Sequence, residues 1–145
     1  MIRFITAEQT LPLRSLVLRN GLPEEECIFD HDTVESTFHL GYFDESGELT
    51  CILTCMKDNH GKLPKSAYRL RGMATHPDHR RKGYAAELLE AAIAHVNKQL
   101  GIEYLWFNAR TIALPFYESL GFEYMSEEFD IPGIGPHREM FKYLG

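Results

Sequence analysis

The chain has 145 residues, with 44% hydrophobic and 25% charged side chains and a net charge of −6. That balance suits one packed domain over residues 1–145 and argues against disorder. No apolar run approaches the ~20 residues of a membrane span, no leader pattern opens the chain, and the acidic balance disfavours nucleic acid as a partner.

In chain order, residues 2–6 read as a strand and 7–19 as a helix, whose start is blurred by Pro12 because proline is comfortable only in a first turn. Residues 20–35 are acidic and irregular, with room for a short second helix. Residues 37–43 and 49–57 are strand-like, and Asp44-Glu45-Ser46-Gly47 between them has turn chemistry, so they form a hairpin. Cys51 and Cys55 lie four apart in the second strand and point to one face. With Cys27 they make three cysteines and no CxxC pair, which excludes a disulfide framework and a zinc site. They read as buried thiols of a protein in a reducing cytoplasm. Residues 58–66 are a polar loop. Tyr68 to Thr75 is a strand, in which Gly72 marks a bulge or a close backbone approach.

The clearest helix follows. Ala85, Leu88, Leu89, Ala92, Ile93 and Val96 share one helical face, Glu87, Glu90 and Lys98 lie on the other, and Gly101 is a stop. Tyr104 to Asn108 is a buried strand, and Ile112 to Leu120 a short helix ended by Gly121. Residues 122–129 and 137–143 close the chain as two strands around the loop 131–136. Strands that alternate with helices only in the later half point to a mixed sheet covered by helices.

Charge is unevenly placed. Arg69, Arg71, Arg80, Arg81 and Lys82 face only Asp78, so residues 69–82 carry +4 and the remainder −10. A basic island in an acidic chain suggests a small anion held at one place. The segment Arg80-Arg81-Lys82-Gly83-Tyr84-Ala85 precedes the strong helix, where backbone N–H groups are free and the helix dipole adds positive potential. Gly83 permits close approach and unusual dihedrals, Ala85 is small, and the cations add charge-assisted hydrogen bonds. The spacing is neither a Walker A loop nor a dinucleotide fingerprint.

Leu70 through Ala85 resembles motif A of the GNAT (Gcn5-related N-acetyltransferase) superfamily, a strand and Pro-containing turn followed by Arg/Gln-x-x-Gly-x-Gly/Ala at a helix start. Ala113-Leu114-Pro115-Phe116-Tyr117-Glu118-Ser119-Leu120-Gly121-Phe122 resembles motif B. The run from Glu128-Phe129 to Pro136-His137-Arg138-Glu139-Met140 is similar to the ElaA/YjcF-like branch. The resemblance implies the GNAT fold, an α/β architecture with a mixed, mostly antiparallel sheet and helices on both faces. It implies transfer of an acetyl group from acetyl-CoA to an amine. The CoA diphosphate would sit on the backbone of Arg81, Lys82, Gly83, Tyr84 and Ala85, with Arg80 at the mouth. The pantetheine arm would run along Met73, Ala74 and Thr75, where the central strands splay, and an N–H near Met73 or Ala74 would hold the thioester carbonyl. Tyr117 would protonate the leaving thiolate. No metal takes part, and a homodimer is compatible with the family.

The chain departs from that pattern twice. Arg110 stands where the family often has a pantetheine-binding Asn, so that contact passes to Asn108. No carboxylate lies between Tyr68 and Thr75 to act as base. His76, after the acetyl-binding strand, is either a base or a turn residue, and His137 either lines the acceptor site or makes a structural hydrogen bond. None of the cysteines sits in a nucleophile motif, so transfer is direct. An acyl-CoA-binding sensor or scaffold without catalysis is the alternative. The acidic stretches Glu24 to Glu35 and Glu123 to Asp130 flank the family's acceptor cleft, which favours a cationic amine if they face it.

Overall fold

A computed structural model describes all residues, 1–145. Eight strands form one sheet: β1 (Ile2–Ile5), β2 (Phe38–Phe43), β3 (Leu49–Lys57), β4 (Ala67–Thr75), β5 (Tyr104–Arg110), β6 (Glu123–Tyr124), β7 (Phe129–Ile131) and β8 (Gly135–Tyr143). The order is β1-β2-β3-β4-β5-β8-β6, and β7 also pairs with β8. Every pairing is antiparallel except β4 with β5. The helices are α1 (Ala7–Leu13), α2 (Tyr84–Ala94) and α3 (Leu114–Ser119).

Period-2 alternation along β3 divides the core. Cys51, Leu53 and Cys55 face the larger cluster under α2, with Leu70, Leu88, Leu89, Ala92 and Val96. Ile52 faces the other side, where it packs with Leu13 and Ala74 beneath α1. Helices therefore cover both faces, as the sequence predicts. Truncating Leu88 or Leu89, both fully buried, to alanine would cost ~2–5 kcal/mol. All three cysteines are free and buried, and no helix is long and apolar enough to cross a membrane.

The first helical region departs from the expected 7–19. Thr6 caps α1 in a reciprocal capping box with Gln9. Beyond Pro12 the helix widens into a π-type turn over Arg14–Leu18. Such turns re-aim side chains, and here Arg14 is wholly buried. Its guanidinium donates to both carboxylate oxygens of Asp32, at 2.6 and 2.9 Å, and to Cys27 O and Thr54 Oγ1. His39 completes the network, with Nε2 donating to Asp32 O and Nδ1 bonded to Thr54 Oγ1. Burial pushes the Asp32 carboxyl up, but hydrogen bonds from Arg14 and the Phe29 N–H, with the Arg14 charge, outweigh it and hold the group below its ordinary range.

The strand expected over 122–129 is two short pieces. Between them Ser126 leaves the ladder, and its Oγ accepts the Glu139 N–H. A side-chain hydroxyl has taken a backbone partner's place.

Two irregularities open the sheet. Between Arg71 and Ala74 the β3–β4 register gains a residue on β4, a bulge centred on Gly72. Gly72 has φ +63°, and a Cβ there would lie 2.8 Å from the Phe29 ring. Both the conformation and the close approach require glycine. Next to it, β4 and β5 pair only through Ala67–Arg69 and Tyr104–Trp106 and then part. From Leu70 onward the β5-facing edge of β4 has no strand against it.

Candidate active site

The gap between the parted strands is a cleft of about 260 Å³. Its walls come from β4 (Arg69 to Met73), β5 (Phe107 to Arg110), the α3 region, the π turn and the β7–β8 hairpin.

Tyr117 lines the cleft from α3. Its ring packs against Phe107, Phe116 and Phe122, with centroids 4.3, 5.1 and 6.1 Å away. The hydroxyl points at Met73 Sδ, 3.9 Å away. Burial, and secondarily the neighbouring Cys51, pushes the phenol up to about 12. The group therefore stays protonated at neutral pH and can give a proton but not take one.

Asn108 lines the same cleft, and its buried Oδ1 has no partner within the chain. An orphaned acceptor at this depth is costly unless a bound molecule satisfies it, which fits the amide of a pantetheine arm. Met73 lies in the bulge and lines the cleft, Ala74 is buried under α1, and Thr75 Oγ1 is 3.2 Å from Cys51 Sγ.

The loop before α2 lies at the far end of β4. Gly83 is the N-cap, with φ +80° and no side-chain cap. An added Cβ there would meet nothing within 4 Å, so its constraint is the backbone turn alone. Arg81 shares the left-handed conformation, with φ +63°. The backbone N–H groups from Arg81 to Ala86 donate to nothing in the chain. Arg80, Arg81 and Lys82 are exposed around them, and Tyr84 stacks on Tyr42 at 4.1 Å. Free donors, a helix start and three cations suit a diphosphate.

Four further expectations meet the geometry. His76 is a capping residue, its Nδ1 accepting the Asp78 N–H at 3.1 Å, and it does not line the cleft. His79 Nε2 lies 3.1 Å from Glu48 Oε2, and Asp44 joins them in a trio within 4.8 Å in which only Glu48 is exposed. His137 is buried, lines the cleft, and donates from Nδ1 to Gly135 O at 2.8 Å. That bond leaves Nε2 as the ring's open nitrogen, with no partner in the chain yet not sealed from solvent. The acidic stretches supply no cleft-lining carboxylate: Glu24, Glu25, Glu26, Asp30, Glu35, Glu123, Glu127, Glu128 and Asp130 are exposed elsewhere, and Asp32 is spent on Arg14. The premise for a cationic acceptor is not met. Nor is the basic island one place, because Arg69 and Arg71 line the cleft while Arg80 to Lys82 ring the α2 start.

Sequence reasoning missed Arg14, Arg19 and Phe29, and read Asp32 as one of the cleft-facing charges rather than as the partner of Arg14. The signal for Arg14, a cation among the apolar positions of the first helical segment, is too common to single out.

A family model described as an acetyltransferase (GNAT) domain matches residues 36–124. The chain is 37% identical to the uncharacterized N-acetyltransferase YitI of Bacillus subtilis (strain 168) over 144 residues, covering 99% of this chain and 95% of that one. It superposes on ElaA of Escherichia coli with a TM-score of 0.76 at 17% identity, covering 98% and 99% of the two chains. An aminoglycoside 6′-N-acetyltransferase complexed with coenzyme A gives 0.71 at 14% identity, covering 99% and 97%.

Proposed function

The chain belongs to the GNAT acetyltransferase family and is an acyl-CoA-dependent N-acetyltransferase; from that premise we propose that it moves acetyl from acetyl-CoA to a primary amine by direct attack within the β4–β5 cleft. The diphosphate binds the N–H groups of Arg81 to Ala85, and Arg80, Arg81 and Lys82 surround it. The pantetheine arm follows the open edge of β4 at Met73, Ala74 and Thr75, and Asn108 bonds to it. The observation that carries the reading is that one proton donor and one proton acceptor line a single cleft at the strand separation, Tyr117 and His137.

The amine nitrogen bonds to the acetyl carbon as the carbon–sulfur bond breaks. Tyr117, held neutral by burial, gives its proton to the departing sulfur. The proton lost by the amine goes to His137 Nε2. Among the cleft-lining side chains His137 is the one with an open ring nitrogen to accept a proton, since the others are apolar, arginine, asparagine or the phenol. The three free, buried thiols suit activity in the cytoplasm.

Turnover followed by release of free CoA tests this. His137→Gln keeps a polar side chain but cannot take a proton. It should lower kcat by ~10²–10⁴-fold with acetyl-CoA affinity retained. Raising the pH toward the acceptor's own pKa should restore part of the loss. Unchanged kcat, with product release shown not to be limiting, would remove His137 from the mechanism.

A further inference from the structure

The cleft holds four arginines, Arg19, Arg69, Arg71 and Arg110, and no carboxylate lines it. Nearby acids are committed elsewhere. Asp32 is chelated by Arg14, Glu139 bonds His60 at 2.6 Å and lies 3.6 Å from Lys62, and Glu128 accepts from Thr111. Asp58, 3.7 Å from Arg69, is the only carboxylate paired with any of the four. Arg19, Arg71 and Arg110 have neither an ion pair nor a hydrogen bond from their side chains.

Arg71 is the most telling. Its guanidinium is half-buried over Phe29, 4.1 Å from the ring centroid, and Arg14 lies 3.7 Å from the same centroid. Burial first, and then repulsion from Arg69, Arg19 and Arg14, lowers its hold on the proton, with Asp32 opposing. Arg69 adds a buried Nε with no partner. A half-buried guanidinium without an ion pair, as Arg71 is, is costly in the empty cleft and repaid by an anion, and Arg69, Arg19 and the exposed Arg110 add positive charge around it. Their planar forks match a carboxylate or phosphate.

We propose that the acceptor amine carries its own anionic group, a carboxylate or a phosphate, and that Arg71 and Arg69, with Arg19 and Arg110, bind it. The proposal rests on the N-acetyltransferase reading of this cleft and names its substrate class. A polyamine or aminoglycoside would bring cations against the arginine wall with no acid to receive them. The wall has a second effect: it disfavours the protonated form of an amine brought beside it, so more of the bound acceptor is the neutral nucleophile. The transfer is otherwise unchanged, with acetyl passing from sulfur to nitrogen, one proton leaving the amine and one reaching the thiolate.

Matched acceptors test the idea: 4-aminobutyrate against butylamine, tyrosine against tyramine, O-phosphoethanolamine against ethanolamine, with spermidine and kanamycin as cations. Acetyl-CoA affinity is measured by calorimetry in parallel, on the wild type, Arg71→Gln and Arg19→Gln. We expect at least one anionic member to exceed its partner in kcat/KM by about 10-fold or more. Arg71→Gln should reduce that ratio by on the order of 10- to 100-fold, chiefly through the acceptor KM. Arg19→Gln, half-buried just past the π turn, should reduce it less and guards against a folding defect in the first variant. The carboxylate and phosphate pairs distinguish the two anion sources. Preference for neutral or cationic acceptors, unmoved by either variant, would overturn the acceptor class alone. Acetyl-CoA binding without transfer to any amine would overturn the acetyl-transfer reading and the acceptor class with it.

Discussion

Five cations lie within residues 69–82, and the fold sends them to two unlike environments. Arg80, Arg81 and Lys82 stand in water around a helix start, where backbone N–H groups make the directed contacts and the side chains add field. Arg69 and Arg71 stand half-buried on the wall of the cleft, where the guanidinium groups themselves must recognise. The first arrangement suits a diphosphate shared by every acyl-CoA. The second suits selection, because in a desolvated cleft an unmatched charge is expensive and a matched one is favoured. In the proposed reaction, charges that are neighbours in sequence thus serve its two ends.

The largest expected effect falls where the two ends meet. Tyr117→Phe keeps the ring packing against Phe107 and Phe122 and removes only the proposed proton donor, so kcat should fall ~10²–10⁴-fold with the acetyl-CoA Kd little changed. Wild-type kcat in a chemistry-limited assay would mean that another group protonates the sulfur.

Next comes the scaffold behind the arginine wall. Asp32→Asn removes the counter-charge of the fully buried Arg14, and should cost ~3–5 kcal/mol of stability in denaturant melts. Because the folded Asp32 carboxyl is held below its ordinary value, its stabilisation is complete above the unfolded-state value of ~4 and is lost as pH falls below that. The variant should therefore show a shallower loss of stability on acidification. A melt indifferent to the substitution would show that the pair is dispensable.

At the exposed group, Arg81→Glu or Gly83→Asp sets a carboxylate among the proposed phosphate contacts. Acetyl-CoA affinity should drop by about 10- to 100-fold, while the anionic-to-neutral acceptor ratio holds. Calorimetry showing unchanged affinity for both variants would detach the loop from CoA. The smallest effect separates the sites by screening. Raising salt should weaken acetyl-CoA binding more than acceptor binding, because exposed charges are screened beyond a Debye length of ~8 Å and half-buried ones much less. Equal slopes would place both groups in the same solvent environment.

How much of this was legible in the chain varies by element. The α2 face was legible, since Leu88, Leu89, Ala92 and Val96 are fully buried and Ala85 and Ile93 pack, partly buried, against the same core. The loop into α2, the motif around Tyr117 and the bulge at Gly72 were also legible. Each is a local pattern, written in adjacent residues and enforced by helix periodicity, free N–H groups or glycine's dihedrals. The expected continuous strand over 122–129 failed because one hydroxyl, that of Ser126, captured the Glu139 N–H across the sheet, a competition that no local propensity encodes.

The sequence by itself thus determined the family, the α2 start and the proposed proton donor. Tertiary structure alone decided which charges face the cleft. The carboxylates of 24–35 and 123–130 crowd the sequence around the cleft but stand in solvent or pair elsewhere, and His137 and the four arginines line one cleft although Arg19 and His137 stand 118 positions apart. Orientation of a charge depends on the strand face it occupies and on what desolvates it, and both are set by partners distant in the chain.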